Sequence, residues 1–137
     1  MPTVLFLCVR NSARSQMAEG LARALAPAGY RFLSAGSDPG VINPLAIEAL
    51  AEQRIDISQQ RAKGLGAISL DHVDTIVTLC AKEVCPVVPG QVRRLHWALP
   101  DPTDLASFRA VRDELRKRLP ALWAQRLSET GRRPRDG

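Results

Sequence analysis

Aromatic side chains are scarce in this sequence: Phe, Tyr and Trp make up 4% of its 137 residues. Proteins that hold single strands by stacking bases need such platforms, and no zinc-finger or RNA-binding signature is present. The net charge of +5 is therefore read as affinity for small anions or acidic proteins, with no nucleic acid as partner. Nowhere do eighteen apolar residues run together, so no membrane span is expected. The opening residues lack a basic leader and a small-residue cleavage site, which makes Val4 to Leu7 a first strand and a cytoplasmic location the expectation. There are three cysteines. In a reducing compartment they argue against a structural disulfide framework and for reactive thiols or a metal. Repeats and low-complexity tracts are missing, and the length suits one domain over residues 1–128, followed by a flexible basic tail over 129–137.

What is there alternates. Thr3 to Cys8 reads as a strand, and Ser15 opens a helix with Met17, Leu21 and Leu25 at four-residue intervals. Pro27 and Gly29 end it. Arg31 to Ala35 is a second strand, followed by the turn-rich Gly36-Ser37-Asp38-Pro39-Gly40. Asn43-Pro44 has the cap-then-proline form of a helix start, and that helix runs to about Gln53. Residues 57–70 show no clear periodicity. Val73 to Leu79 and Gln91 to His96 are the third and fourth strands, and a last helix spans about Asp104 to Leu127, with Pro120 kinking or splitting it. Strands alternating with helices predict an α/β domain with a parallel four-stranded sheet and helices on both faces. In such sheets ligands gather at the carboxyl ends of strands, which is where Cys8, Cys80 and Asp101 fall.

The chemistry concentrates in Cys8-Val9-Arg10-Asn11-Ser12-Ala13-Arg14-Ser15. A thiol, five residues, an arginine and a hydroxyl between a strand and a helix form a cradle for a tetrahedral oxyanion. Loop amides and the helix N-terminus point at the anion, and Arg14 binds its oxygens through a planar fork. Cys8, beside a helix N-terminus and an arginine, is the nucleophile. Ser15 is placed to donate to its sulfur. Asp101, in Pro100-Asp101-Pro102, is the candidate general acid for the departing oxygen. Neither Cys80 nor Cys85 is followed six residues later by arginine, so the cradle belongs to Cys8 alone.

Taken that far, the residues describe a phosphatase. Cys80 and Cys85, in Cys80-Ala81-Lys82-Glu83-Val84-Cys85-Pro86, add either a partial zinc site with His96 or a thiol relay. A structural zinc site needs four ligands, and His72 lies at the far end of the third strand. Cysteines five apart in a helix would sit about 8–9 Å apart by helical rise and rotation, beyond disulfide reach. A bond between them would need the segment unwound, which Pro86 favours by opposing α geometry at Cys85.

These residues resemble the thioredoxin-coupled arsenate reductases, which share the fold of low-molecular-weight protein tyrosine phosphatases. The anchors are Cys8 to Ser15, Gln16-Met17-Ala18-Glu19-Gly20, Ser34-Ala35-Gly36, Asn43-Pro44, Val77-Thr78-Leu79-Cys80, Cys85-Pro86, His96-Trp97 and Asp101-Pro102. The resemblance implies that arsenate binds the Cys8 loop, with phosphate or sulfate as mimics, and that Cys8 attacks arsenic. Cys80 then attacks Cys8, Cys85 attacks Cys80, and thioredoxin reduces the Cys80–Cys85 disulfide. No flavin or metal is implied as carrier of the electrons. The sequence departs from the family pattern at Arg10, where glycine is common, and in a Cys80–Cys85 spacing shorter than in some members. Some members bind potassium through residues matching Asn11, Glu19, Ser34 and an aspartate that aligns with Lys63. An ammonium there replaces the ion, so no potassium requirement is expected. A monomer is expected. The competing readings are a phosphotyrosine phosphatase using Cys8, Arg14 and Asp101, for which Leu99 to Thr103 offers no aromatic grip, and a non-catalytic oxyanion or redox sensor.

Overall fold

The first strand, β1 (Thr3–Cys8), is buried along its whole length, as befits a strand with neighbours on both sides and cover on both faces. In the computed structural model, which describes residues 2–81 and 92–124, it pairs in parallel with β2 (Arg31–Gly36) and β3 (Thr75–Thr78). β4 (Arg93–His96) joins β3, also in parallel, and the sheet order is β2-β1-β3-β4. The chain leaves β1 toward β2 and returns past β1 to β3, so the order reverses at β1. A crevice opens there at the carboxyl ends of the strands.

Alternate residues of the strands serve two clusters. Val4, Phe6, Phe32 and Val77 face the helices α1 (Arg14–Leu25), α2 (Pro44–Ala51) and α3 (Leu105–Arg118), meeting Met17, Leu21, Leu50, Phe108 and Leu115. Leu5, Leu7, Ala35 and Ile76 face the other way, covered by Val73 and by the half-buried Leu65, Ile68 and Leu70. The unperiodic stretch after Ile57 thus holds a 3-10 turn, Leu65–Ala67, that covers this second face. No helix among the described residues is long and apolar enough to cross a membrane.

The element boundaries follow local chemistry. The Asn43 side chain caps α2 by accepting from the Leu45 amide at 2.9 Å, and Pro44 fills the first turn. Asp104 and Ser107 close a reciprocal capping box on α3. α3 ends at Arg118, and helix resumes at Pro120 after a turn at Leu119, so the proline splits the expected single helix by withholding its N–H. The third strand is shorter than the expected Val73 to Leu79. Val73 turns back to the Leu70 carbonyl, while the Leu79 amide still donates to Leu7 at 2.9 Å. Gln91, residues 125–127 of the expected last helix and the 129–137 tail lie outside the described residues.

Candidate active site

The loop after β1 is built by close approach. Gly36 lies so near that a Cβ on it would sit 2.3 Å from the Val9 carbonyl oxygen and 2.9 Å from the Asn11 nitrogen. No other residue fits there without moving the loop. The loop's carbonyls then accept amides from the segment after β2: Asp38 to Val9, Gly40 to Arg10 and Asn43 to Ser12, each at 2.9 Å. Asn11 takes φ +50, a left-handed conformation that asparagine tolerates better than most residues. α1 begins at Arg14 with Ala13 at its cap position and no side-chain cap. Its first amides are therefore left for an anion, a role helix N-termini readily fill.

Cys8 is a free, buried thiol. Its Sγ lies 2.9 Å from Ser15 Oγ, which accepts the Asn11 side-chain amide at 2.7 Å. Asn11 is held in turn. Its Oδ1 accepts Gln16 Nε2 at 2.9 Å and the Lys63 backbone amide at 2.8 Å. Gln16 also donates to the Arg61 carbonyl and receives the Gln60 amide on its Oε1 at 2.7 Å. Sequence reading missed Gln16, Gln60 and the Arg61 carbonyl. A glutamine one residue past the motif, next to Met17 and Ala18, was the available signal.

Arg14 is held from the floor of the crevice. Its side chain is 4% exposed, and Nη1 donates to the carbonyls of Leu99 at 2.9 Å and Leu79 at 3.4 Å. Nη2 lies 3.8 Å from Asp101 Oδ1, and the Asp101 side chain is 68% exposed. The structure thus brings Arg14, Asp101 and the end of β3 together over the Cys8 loop. Cys80 is buried, and Thr78 is level with Leu7 in the sheet, which sets Cys80 on the same rim as Cys8. Cys80 is disulfide-bonded. Cys85 lies outside the described residues.

The support residues form a second knot. Ser34 donates to Glu19 Oε1 through a short hydrogen bond. Arg23 pairs with Glu19 Oε2 at 2.7 Å, and the Lys63 ammonium lies 3.7 Å from Oε1 while donating to the Arg61 carbonyl at 2.8 Å. Glu19 is 2% exposed, and burying a carboxylate is costly without such partners. Its oxygens are taken by a hydroxyl, a guanidinium and an ammonium, so the residues present do not fit a potassium ion. At the mouth, Arg10 pairs with Asp38 at 2.8 Å, both side chains well exposed, and lies against Gly40. Val9, Ser12 and Ala13 contribute backbone. His96 sits on Thr78, Nδ1 to Oγ1 2.6 Å. Among the described residues no group of three or more His, Cys, Asp or Glu gathers to hold a metal.

Comparison with known proteins agrees with this geometry. Residues 3–133 match the family model of low molecular weight phosphotyrosine protein phosphatases. An arsenate reductase of Bacillus cereus (strain AH187) is 41% identical over 133 residues, covering 94% of this chain and 96% of its own. A solved arsenate reductase in the phosphate binding state superposes with a TM-score of 0.83 at 35% identity, covering 91% of this chain and 98% of that one. A thioredoxin-dependent arsenate reductase of Corynebacterium glutamicum superposes with a TM-score of 0.75 at 33% identity, covering 93% of this chain and 63% of that one.

Proposed function

The chain belongs to the low molecular weight phosphotyrosine protein phosphatase family, and within it we propose that this protein reduces arsenate to arsenite through three thiols. The observation that carries the reading is the pairing of states on one rim: Cys8 a free thiol in the oxyanion loop, Cys80 already disulfide-bonded. A phosphatase has no use for the second. A thiol relay uses both cysteines.

Arsenate enters the loop as a phosphate analogue, its oxygens facing the loop amides, the first amides of α1 and Arg14. Cys8 Sγ forms a bond to arsenic(V), and the displaced oxygen leaves as water with a proton from Asp101. Cys80 attacks Cys8 Sγ. The sulfur–arsenic bond breaks with its electron pair on arsenic, arsenite leaves, and a Cys8–Cys80 disulfide remains. Cys85 attacks Cys80 and releases Cys8. The resulting Cys80–Cys85 disulfide takes two electrons from thioredoxin by exchange. Such chemistry belongs in a reducing, cytoplasmic compartment.

The carbonyls of Leu79 and Leu99 hold Arg14 in place, which pre-orients the fork. Asp101 is open to solvent and can reload its proton between turnovers. Lys63 supplies the charge that a monovalent cation would otherwise bring to Glu19, so turnover needs no potassium.

The test is arsenate reduction with thioredoxin and its reductase. Cys8→Ser should lose both reduction and any phosphatase side activity. Cys80→Ser should lose reduction but keep weak hydrolysis of an aryl phosphate. Cys85→Ser should release at most about one arsenite per enzyme and accumulate a Cys8–Cys80 disulfide. Sustained turnover by Cys85→Ser would overturn the relay and point to a small-thiol route.

A further inference from the structure

A second cleft opens on the flank of α1, away from Cys8, with a volume of about 790 Å³, the size of a small-molecule site. Its walls are the later turns of α1, the outer strand β2, and residues 54–68. Neither the Cys8–Arg14 loop nor Asp101 lines it.

Its charge is lopsided. Arg23, Arg31, Arg54, Arg61 and Lys63 line it against only Glu19 and Asp56. Arg23 and Lys63 serve Glu19. The Asp56 carboxylate faces the Ser58 amide at 2.8 Å. The side chains of Arg31, Arg54 and Arg61 pair with no carboxylate among the described residues, although all three are exposed around the same cleft. Unpaired guanidinium groups converging on one concavity fit phosphate oxygens better than they fit one another. Between them lie Leu33, Ile55 and Ile68, half-buried apolar surface for the body of a ligand. Arg54 holds φ +62 just past α2, a position where glycine costs less.

The back of the cleft is continuous with the oxyanion loop. Gln60 and Lys63 line it. Gln60 donates to Gln16, Gln16 to Asn11, and the Lys63 amide to Asn11. Asn11 donates to Ser15, the neighbour of Cys8.

We propose that this cleft binds a small polyanion of the polyphosphate class, gripped by Arg31, Arg54 and Arg61, and that the occupied cleft acts on the Cys8 loop through Gln60 and Asn11. The ligand differs from the single tetrahedral oxyanion of the Cys8 loop in needing two or more phosphate groups to span the arginines. The inference does not depend on the thiol relay.

Inorganic tripolyphosphate is the probe, titrated into the full chain with sulfate in excess to fill the Cys8 loop, and followed by backbone amide NMR. Shifts are expected at residues 31, 54–63 and 19–24, extending to Asn11 and Ser15. The triple variant Arg31→Ser, Arg54→Gly, Arg61→Ser should bind at least tenfold more weakly. Arg54→Gly suits the left-handed backbone, and the Arg61 carbonyl that accepts Gln16 is untouched by the side-chain change, so the variant should stay folded. Arg109→Ser, on α3, should bind as the wild type does. Unchanged binding by the triple variant, equal weakening by Arg109→Ser, or shifts confined to residues 8–14 would each overturn the proposal. Shifts at the cleft that stop short of Asn11 would overturn its second half, the action on the loop.

Discussion

Ser15 Oγ lies 2.9 Å from the Cys8 sulfur and accepts the Asn11 side-chain amide at 2.7 Å. The amide nitrogen can only donate, so it takes one serine lone pair and leaves the serine hydrogen free to point at sulfur once the sulfur is the nucleophilic thiolate, which has no hydrogen of its own to give. Asn11 thereby orients Ser15 beside the nucleophile. A hydrogen bond to a charged group is worth about 1.5–3 kcal/mol. Ser15→Ala should therefore slow alkylation of Cys8 by iodoacetamide at neutral pH by roughly tenfold or more. Asn11→Gly, which keeps the left-handed backbone, should do so less. Equal rates in Ser15→Ala and wild type would remove the hydroxyl from the mechanism.

Gly36 bears on the same loop from beneath. Gly36→Ala places a carbon 2.3 Å from the Val9 carbonyl oxygen, and overpacking of this kind costs about 1–3 kcal/mol. The loop has to move to relieve it. Urea unfolding should show the loss, and arsenate turnover should fall by more than the unfolded fraction explains.

How much of this was legible in the sequence divides along contact range. β1, α1 and the Cys-x5-Arg loop are local patterns: an apolar run, a four-residue spacing, a motif between them. Asn43-Pro44 announced its helix by capping chemistry. Gly36 was readable only as part of a turn, because its constraint comes from Val9 and Asn11, far away in the chain. Gln60 gave no sequence signal for the same reason, since its partner Gln16 lies far away in the chain. Residues 57–70 resisted reading because they form no regular helix or strand, yet Leu65, Ile68 and Leu70 cover a whole face of the sheet. Pro120 was read as a kink or a break, and packing of Leu119 and Leu122 into the core goes with the break.

Arg10 and Asp38 form an exposed pair, and such pairs are worth about 0–1 kcal/mol. Arg10→Gly should therefore change stability by less than about 1 kcal/mol. Its charge sits at the mouth of the loop, where it attracts the incoming anion. The expected result is a raised KM for arsenate, most marked at low ionic strength, with kcat little changed. A fall in kcat at constant KM would place Arg10 in the chemistry instead.

Glu52 ties α2 to α3. Arg109 grips both its oxygens, the shortest contact 2.6 Å, and Arg112 adds a bond at 2.7 Å. Hydrogen bonds from Arg109 and then Arg112 lower its pKa to about 2, whereas an unfolded glutamate titrates near 4.3. A depressed acid stabilises the fold above its unfolded pKa and loses that contribution as pH falls through the folded one. The melting temperature of wild type should thus exceed that of Glu52→Gln at pH 6–7, and the gap should close between about pH 4.3 and pH 2. A gap independent of pH across that window would show that charge is not what Glu52 contributes.

Lys63 allows the sharpest test of the ion question. Its ammonium lies 3.7 Å from Glu19 Oε1, close enough to balance that carboxylate. If the ammonium replaces the ion, potassium at equal ionic strength should move neither the melting temperature nor the turnover of the wild type relative to sodium. Lys63→Asp reverses the chemistry. It sets a second carboxylate beside the buried Glu19, with Arg23 left to balance the two, and carboxylates at that range repel. That variant should melt lower in sodium and recover part of the loss in potassium, whose size and weak hydration suit a site of carboxylate and hydroxyl oxygens. The backbone amide of residue 63 still holds Asn11 in the variant, so its turnover should recover along with its stability. Selective stabilisation of the wild type by potassium would mean that Glu19 opens to an ion despite Arg23, Ser34 and Lys63.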